Sequence, residues 1–203
     1  MKIHNLTVQT TIYTCNVYFV GGTWNALADV NTLIDVGRDP AIIQALTHIA
    51  TGLGKRPVEQ VVLTHSHYDH AGLLPVIREL FQPIVAAFSP YASAIDRVLH
   101  DGDALRIGDQ IFEVIHTPGH SSDSICLYSA PDGVLFAGDT PLLIDRPGGT
   151  YEEGFLQALA RLSQKDVRAM YFGHGPPLLE NCPARLRASL ANVRTNRRNF
   201  SLT

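Results

Sequence analysis

The chain has 203 residues, 45% of them hydrophobic, and a formal net charge of −3. That length suits one well-buried core rather than two, so a single domain over residues 1–203 is expected. The mildly acidic balance gives no general attraction to nucleic acid or to an anionic membrane, so small molecules are the expected partners and oligomeric state stays open.

Cys15, Cys126 and Cys182 are odd in number and widely spaced, unlike a disulfide framework or a CxxC metal clip. They are read as reduced thiols of a cytoplasmic protein. The opening residues lack an apolar core of signal-peptide length, and no segment approaches about 18 continuous apolar residues. Neither secretion nor membrane spanning is expected.

In chain order, Ile3 to Gln9 and Thr11 to Val20 are rich in β-branched and aromatic residues and read as strands closed by Gly21-Gly22. Leu33 to Gly37 is a third strand carrying Asp35 at its end. Asp35 is either an ordinary strand-end acid or an acceptor that orients a ligand histidine. Asp39-Pro40 opens a helix to about Thr51, with Asp39 as N-cap. Glu59 to Leu63 is a strand, Ala71 to Leu80 a helix in which Pro75 delays regular hydrogen bonding to around Gly72 to Leu74, and Pro83 to Phe88 a buried strand. Ser89-Pro90 starts a helix to about Leu99, which makes His100 a favourable C-terminal charge. Four strands follow: Ala104 to Ile107, Gln110 to Ile115, Ser124 to Ser129 and Gly133 to Ala137. Tyr151 to Leu162 is an amphipathic helix, Val167 to Phe172 the last strand, and Pro183 to about Arg198 a terminal helix with five arginines on a solvated face.

The chemistry concentrates in Thr64-His65-Ser66-His67-Tyr68-Asp69-His70, directly after Val61-Val62-Leu63. Side chains at i and i+2 of an extended chain point the same way, so His65 and His67 can grip one ion. His70 breaks that parity; with Asp69 it falls where the chain turns into a helix, and this pair can face a neighbouring position. By the same alternation Ser66 points away. Three more motifs sit after predicted strands: Thr117-Pro118-Gly119-His120, Gly138-Asp139 and Gly173-His174-Gly175. His65, His67, His70, His120 and His174 with Asp69 and Asp139 supply five imidazoles and two carboxylates, enough for two metals. Such ligands suit zinc, and also iron or manganese. His4 and His48 are read as surface or packing residues, and His116 as a strand-end residue or one that supports a ligand.

The order HxHxDH, PGH, GD, GHG resembles the metallo-β-lactamase superfamily over nearly the whole chain. The resemblance implies a four-layer αββα sandwich of two mixed sheets with a metal site along one edge. It implies a first metal on His65, His67 and His120, a second on Asp69, His70 and His174, and Asp139 bridging both. Asp139, with the TPGHS and GDT segments, is similar to glyoxalase II, whereas zinc β-lactamases carry Cys at that position. Only one helix follows Pro183, a departure from the helical domain with which glyoxalase II holds glutathione. Leu142 replaces the tyrosine that signal-degrading lactonases place three residues after the bridging Asp, and His67 differs from the Glu of flavodiiron relatives.

The activity so implied is hydrolysis of a thioester or related carboxylic ester by a metal-bridged hydroxide, with Asp69 also orienting that hydroxide. A persulfide-dioxygenase-like enzyme with one iron on residues matching His65, His120 and Asp139 is the redox alternative. Lactonase and phosphodiesterase chemistries of the same superfamily are further ones. Substrate choice is expected from the Tyr13-Thr14 region, Tyr68, and the Leu142 to Tyr151 segment with Arg146.

Overall fold

The computed structural model describes residues 1–8, 10–88 and 95–200, with side chains to residue 195. Two mixed sheets form. The first runs in the order β1 (Lys2–Asn5), β2 (Tyr18–Gly21), β3 (Thr32–Ile34), β4 (Gln60–Val62), β5 (Ile84–Ala87) and β6 (Arg97–Val98). It is antiparallel from β1 to β3 and parallel from β3 to β6. The second places β7 (Ala104–Ile107), β8 (Gln110–His116), β9 (Ile125–Ser129), β10 (Val134–Gly138) and β11 (Ala169–Phe172) side by side, antiparallel except for β10 with β11.

Side-chain alternation makes the layers. Leu33, Val61 and Val85 face one way from their strands and pack with Ile42 and Leu46 of α1 (Ala41–His48) and Leu74 and Ile77 of α3 (Leu74–Phe81). Their neighbours Ile34, Val62 and Ala86 face the other way and meet Val114, Ile125, Leu127 and Phe136 of the second sheet. The outer face of that second sheet, with Ile115, Cys126, Leu135 and Ala137, is covered by α4 (Glu153–Leu162) and α5 (Cys182–Phe200). Strands buried on both faces read as continuous apolar runs, and each run splits between two cores by its period of two. The result is the αββα sandwich.

Several expected elements differ. The run from Thr11 forms a strand only from Tyr18, because the backbone N–H groups of Cys15 and Asn16 donate to the carbonyls of Asp69 and Gly173 instead of to a neighbouring strand. The expected 71–80 helix begins earlier and breaks, as α2 (Tyr68–Ala71) and then α3 with Pro75 in its first turn. The N-cap position of α1 is Pro40, although the Asp39 carboxylate still accepts from Ala41 N–H at 3.0 Å. Most of the expected 89–99 helix, residues 89–94, lies outside the described residues. Its end is strand β6, held to β5 in parallel register. His100 therefore follows a strand, and its Nδ1 lies 3.6 Å from Asp103.

Candidate metal centre

Every motif singled out in the sequence lies just beyond the C-terminal end of a strand. β4 leads into His65 to His70, β8 into His120, β10 into Asp139 and β11 into His174. The β10 and β11 loops are tied together by Gly173 N–H donating to Gly138 carbonyl at 2.8 Å. The first sheet holds the β11 loop through Asn16, whose side-chain amide donates to the carbonyls of Phe172 (2.9 Å) and Gly175 (2.8 Å). The Tyr18 hydroxyl also donates to Phe172 carbonyl, at 2.8 Å. Neither Asn16 nor Tyr18 stood out in the sequence, since a lone Asn and a strand Tyr carry no motif.

The seven side chains come together in two adjoining groups. In the first, His67 Nδ1 is 3.0 Å from both His65 Nε2 and His120 Nε2. In the second, His174 Nε2 is 3.2 Å from Asp69 Oδ2, and His70 Nε2 is 4.0 Å from the same oxygen. Asp139 reaches both groups: Oδ2 is 3.5 Å from His120 Nε2 and 3.5 Å from His174 Nε2, while Oδ1 is 3.3 Å from His70 Nε2.

The donor set fits a cation. Nε2 of His70 and Oδ1 of Asp139 are buried and have no hydrogen-bond partner, a costly state for polar atoms unless another species satisfies them. Metal–nitrogen bonds of about 2.0–2.1 Å at tetrahedral angles set ligand atoms about 3.3 Å apart, close to the separations found. His65, His67 and His120 form one set whose ligand atoms lie within 4.8 Å of one another, and Asp69, His70 and His174 form another.

A further triplet, Cys15, Asp35 and His70, also meets that distance, but it is a hydrogen-bonded support. Asp35 Oδ2 lies 2.8 Å from His70 Nδ1, and its two oxygens accept from the Thr64 N–H and hydroxyl, both at 2.8 Å. Burial pushes the Cys15 thiol up to about 12, so it stays protonated at neutral pH. Asp35 thus takes the orienting role considered for it. It sits in the left-handed region, φ 59°, which an Asp tolerates better than most residues.

The electrostatics favour ligand forms at His65, His120 and Asp139, whereas at His70 burial is outweighed by Asp35 and Asp139, which raise its pKa, so a cation there would displace a proton. Burial, reinforced by neighbouring His70, holds His65 down to about 4 and therefore neutral. Burial also lowers His120. Burial works against ionisation of Asp139, but His70, His174 and His65 outweigh it and hold the carboxyl below its usual range.

The remaining residues fall outside the cluster. The Ser66 hydroxyl bonds Asp123, in keeping with its expected direction away from the donors. His116 Nε2 bonds Ser122 carbonyl at 2.8 Å and its ring stacks on Phe88. Tyr13, 68% exposed, stacks on His174 with its hydroxyl 3.5 Å from Nε2. Tyr68 is exposed beneath Arg38. Leu142 is buried, whereas Arg146 is exposed and stands outside the cleft beside the donors. On α5, Arg185 pairs with Asp145 at 2.8 Å. The side chains of Arg197 and Arg198 lie outside the described residues.

An αββα sandwich with imidazoles and carboxylates converging at one edge defines a divalent-metal protein. The model of the metallo-beta-lactamase superfamily matches residues 10–95 and 87–174, and the chain belongs to that superfamily. It is 27% identical to "Atrochrysone carboxyl ACP thioesterase" of Aspergillus fumigatus, over 90% of this chain and 57% of that protein. It is 35% identical to a hydroxyacylglutathione hydrolase of Rhizobium johnstonii, over 70% and 56%. The chain thus spans a little over half the length of these curated relatives. ETHE1 from Myxococcus xanthus has the same fold, with a TM-score of 0.73 at 24% identity over 97% of this chain and 88% of that one. Among the described residues no helix is long and apolar enough to cross a membrane.

Proposed function

We propose that this chain is a metal-dependent hydrolase of small-molecule thioesters or related carboxylic esters, using two divalent cations with zinc as first choice. One observation carries the reading: Asp139 lies between two three-residue donor groups and faces both. The names of the Aspergillus and Rhizobium relatives, a thioesterase and a hydroxyacylglutathione hydrolase, support the reaction class. Two such cations acidify a shared water from a pKa of about 15.7 towards 7 and polarise a carbonyl.

The chain's residues do the rest. His65, His67 and His120 would hold the first cation, Asp69, His70 and His174 the second, and Asp139 would serve both. Asp35 fixes the His70 tautomer by accepting from Nδ1, which leaves the Nε2 lone pair directed inward. Asp69 has one oxygen 3.2 Å from His174 Nε2, and its carboxylate would accept a hydrogen bond from the attacking water.

The test is elemental analysis of protein purified without added metal, with turnover measured on thioesters, lactones and phosphodiesters and with oxygen uptake on a persulfide. Two equivalents of zinc with thioester turnover support the reading. One equivalent of iron with oxygen consumption overturns it in favour of a persulfide dioxygenase, and turnover confined to phosphodiesters overturns the substrate class.

A further inference from the structure

A cleft of about 540 Å³ opens beside the donor cluster, with His120, Asp139 and His174 in its lining. Away from them the wall is apolar: Leu142, Leu143, Phe172, Pro177 and Leu178 all contribute. The Thr140 side chain, which also borders it, is engaged with Thr117 at 2.8 Å. Among the described residues the lining contains no lysine or arginine.

This wall is built before any ligand arrives. Phe172 is anchored by its carbonyl, which accepts from both Asn16 and Tyr18. Leu178 is fixed by reciprocal backbone hydrogen bonds with Met170, at 2.8 and 2.9 Å. Leu142 is 1% exposed and backs the wall from the core. A preformed apolar cleft of this size with a few polar groups at one place binds an apolar group and fixes its polar end. Away from the donors, an acyl group carrying carboxylates finds no counter-charge among the described residues.

Building on the hydrolase reading, we infer that the acyl half of the substrate is an extended or aromatic apolar group. It lies against Leu143, Phe172 and Leu178, with the scissile carbonyl at Asp139 and His174. Selectivity then comes from the length and shape of the acyl group, since the wall offers no charge to read.

The experiment uses the metal-loaded protein and N-acetylcysteamine thioesters from acetyl to decanoyl. A parallel calorimetric series uses the matching S-alkyl thioethers, which cannot be hydrolysed. Each buried methylene contributes about 0.8 kcal/mol, so kcat/KM and thioether affinity should each rise about fourfold per methylene until the cleft is filled. Leu143→Glu should flatten both trends. Leu178→Trp should shorten the preferred chain. Flat trends in both series in the unmodified protein overturn the inference, as does a preference for carboxylate-bearing acyl groups. Thioether affinity that climbs with length without turnover of any ester sustains the apolar cleft and removes the hydrolase reading; turnover indifferent to length does the reverse.

Discussion

The carboxylate of Asp35 lies 2.8 Å from Nδ1 of His70, and both side chains are almost wholly shielded from solvent. Asp35→Asn can place an amide N–H against Nδ1, which reverses the tautomer and puts a proton on the atom meant for the cation. Loss of such orienting partners typically weakens metal affinity by about 10–100-fold. Titration with a competing chelator should show that loss at one of the two positions, with far-ultraviolet circular dichroism unchanged. Unaltered affinity at both positions would mean that Asp35 serves Thr64 alone.

Asp139 carries carboxylate oxygens within 3.5 Å of ring nitrogens in both donor groups. Asp139→Asn removes the negative charge that two cations share. The expected outcome is a fall in metal content from two equivalents towards one or none, with thioester turnover reduced at least about 100-fold, in the range seen when a transition-state contact is deleted. Metal analysis and kinetics on the same preparation check it, and two retained equivalents with full activity would disprove the bridging role.

Gly173 follows β11, and a Cβ there would sit 2.1 Å from Asp139 Oδ1 and 2.7 Å from His70 Cε1. The backbone at this position is one that an alanine can adopt, so Gly173→Ala strains the site rather than the turn. Metal content should drop as in the Asp139 variant while the apo protein stays folded. A normally metallated Gly173→Ala protein would contradict the packing described.

Tyr13 stacks on His174 with ring centroids 5.2 Å apart. Stacked aromatic pairs contribute about 0.5–1.5 kcal/mol beyond their buried area. Tyr13→Ala should therefore weaken the His174 cation position by about twofold to tenfold, whereas Tyr13→Phe keeps the ring and should leave metal affinity unchanged. Calorimetry on both variants separates the ring from the hydroxyl.

Much of this architecture was legible because the donors are locally encoded. Each motif follows a strand, and the apolar runs Val61–Leu63 and Val134–Ala137 mark those strands by composition alone. The arrangement of donors followed from the family resemblance, and their convergence is visible only in three dimensions. What stayed hidden depends on distant partners. Residues 11–17 have strand composition, yet Asn16 spends its hydrogen bonds on the β11 loop. Arg97–Val98 were read as the end of a helix, but parallel pairing with Ala86–Ala87 overrides that local preference. Of the segment assigned to substrate choice, Leu142 and Leu143 reach the cleft and Arg146 does not, because alternation of loop side chains is set by the core that Leu142 enters.

Four of the seven donors hang from one sheet and three from the other, so any ions they hold would rivet the two halves across a seam. Without that rivet, Asn16 and Tyr18 are left to hold the β11 loop to the first sheet on the metal side. Stripping the protein with a chelator should thus raise amide exchange first along this edge, while the helix-covered outer layers remain protected.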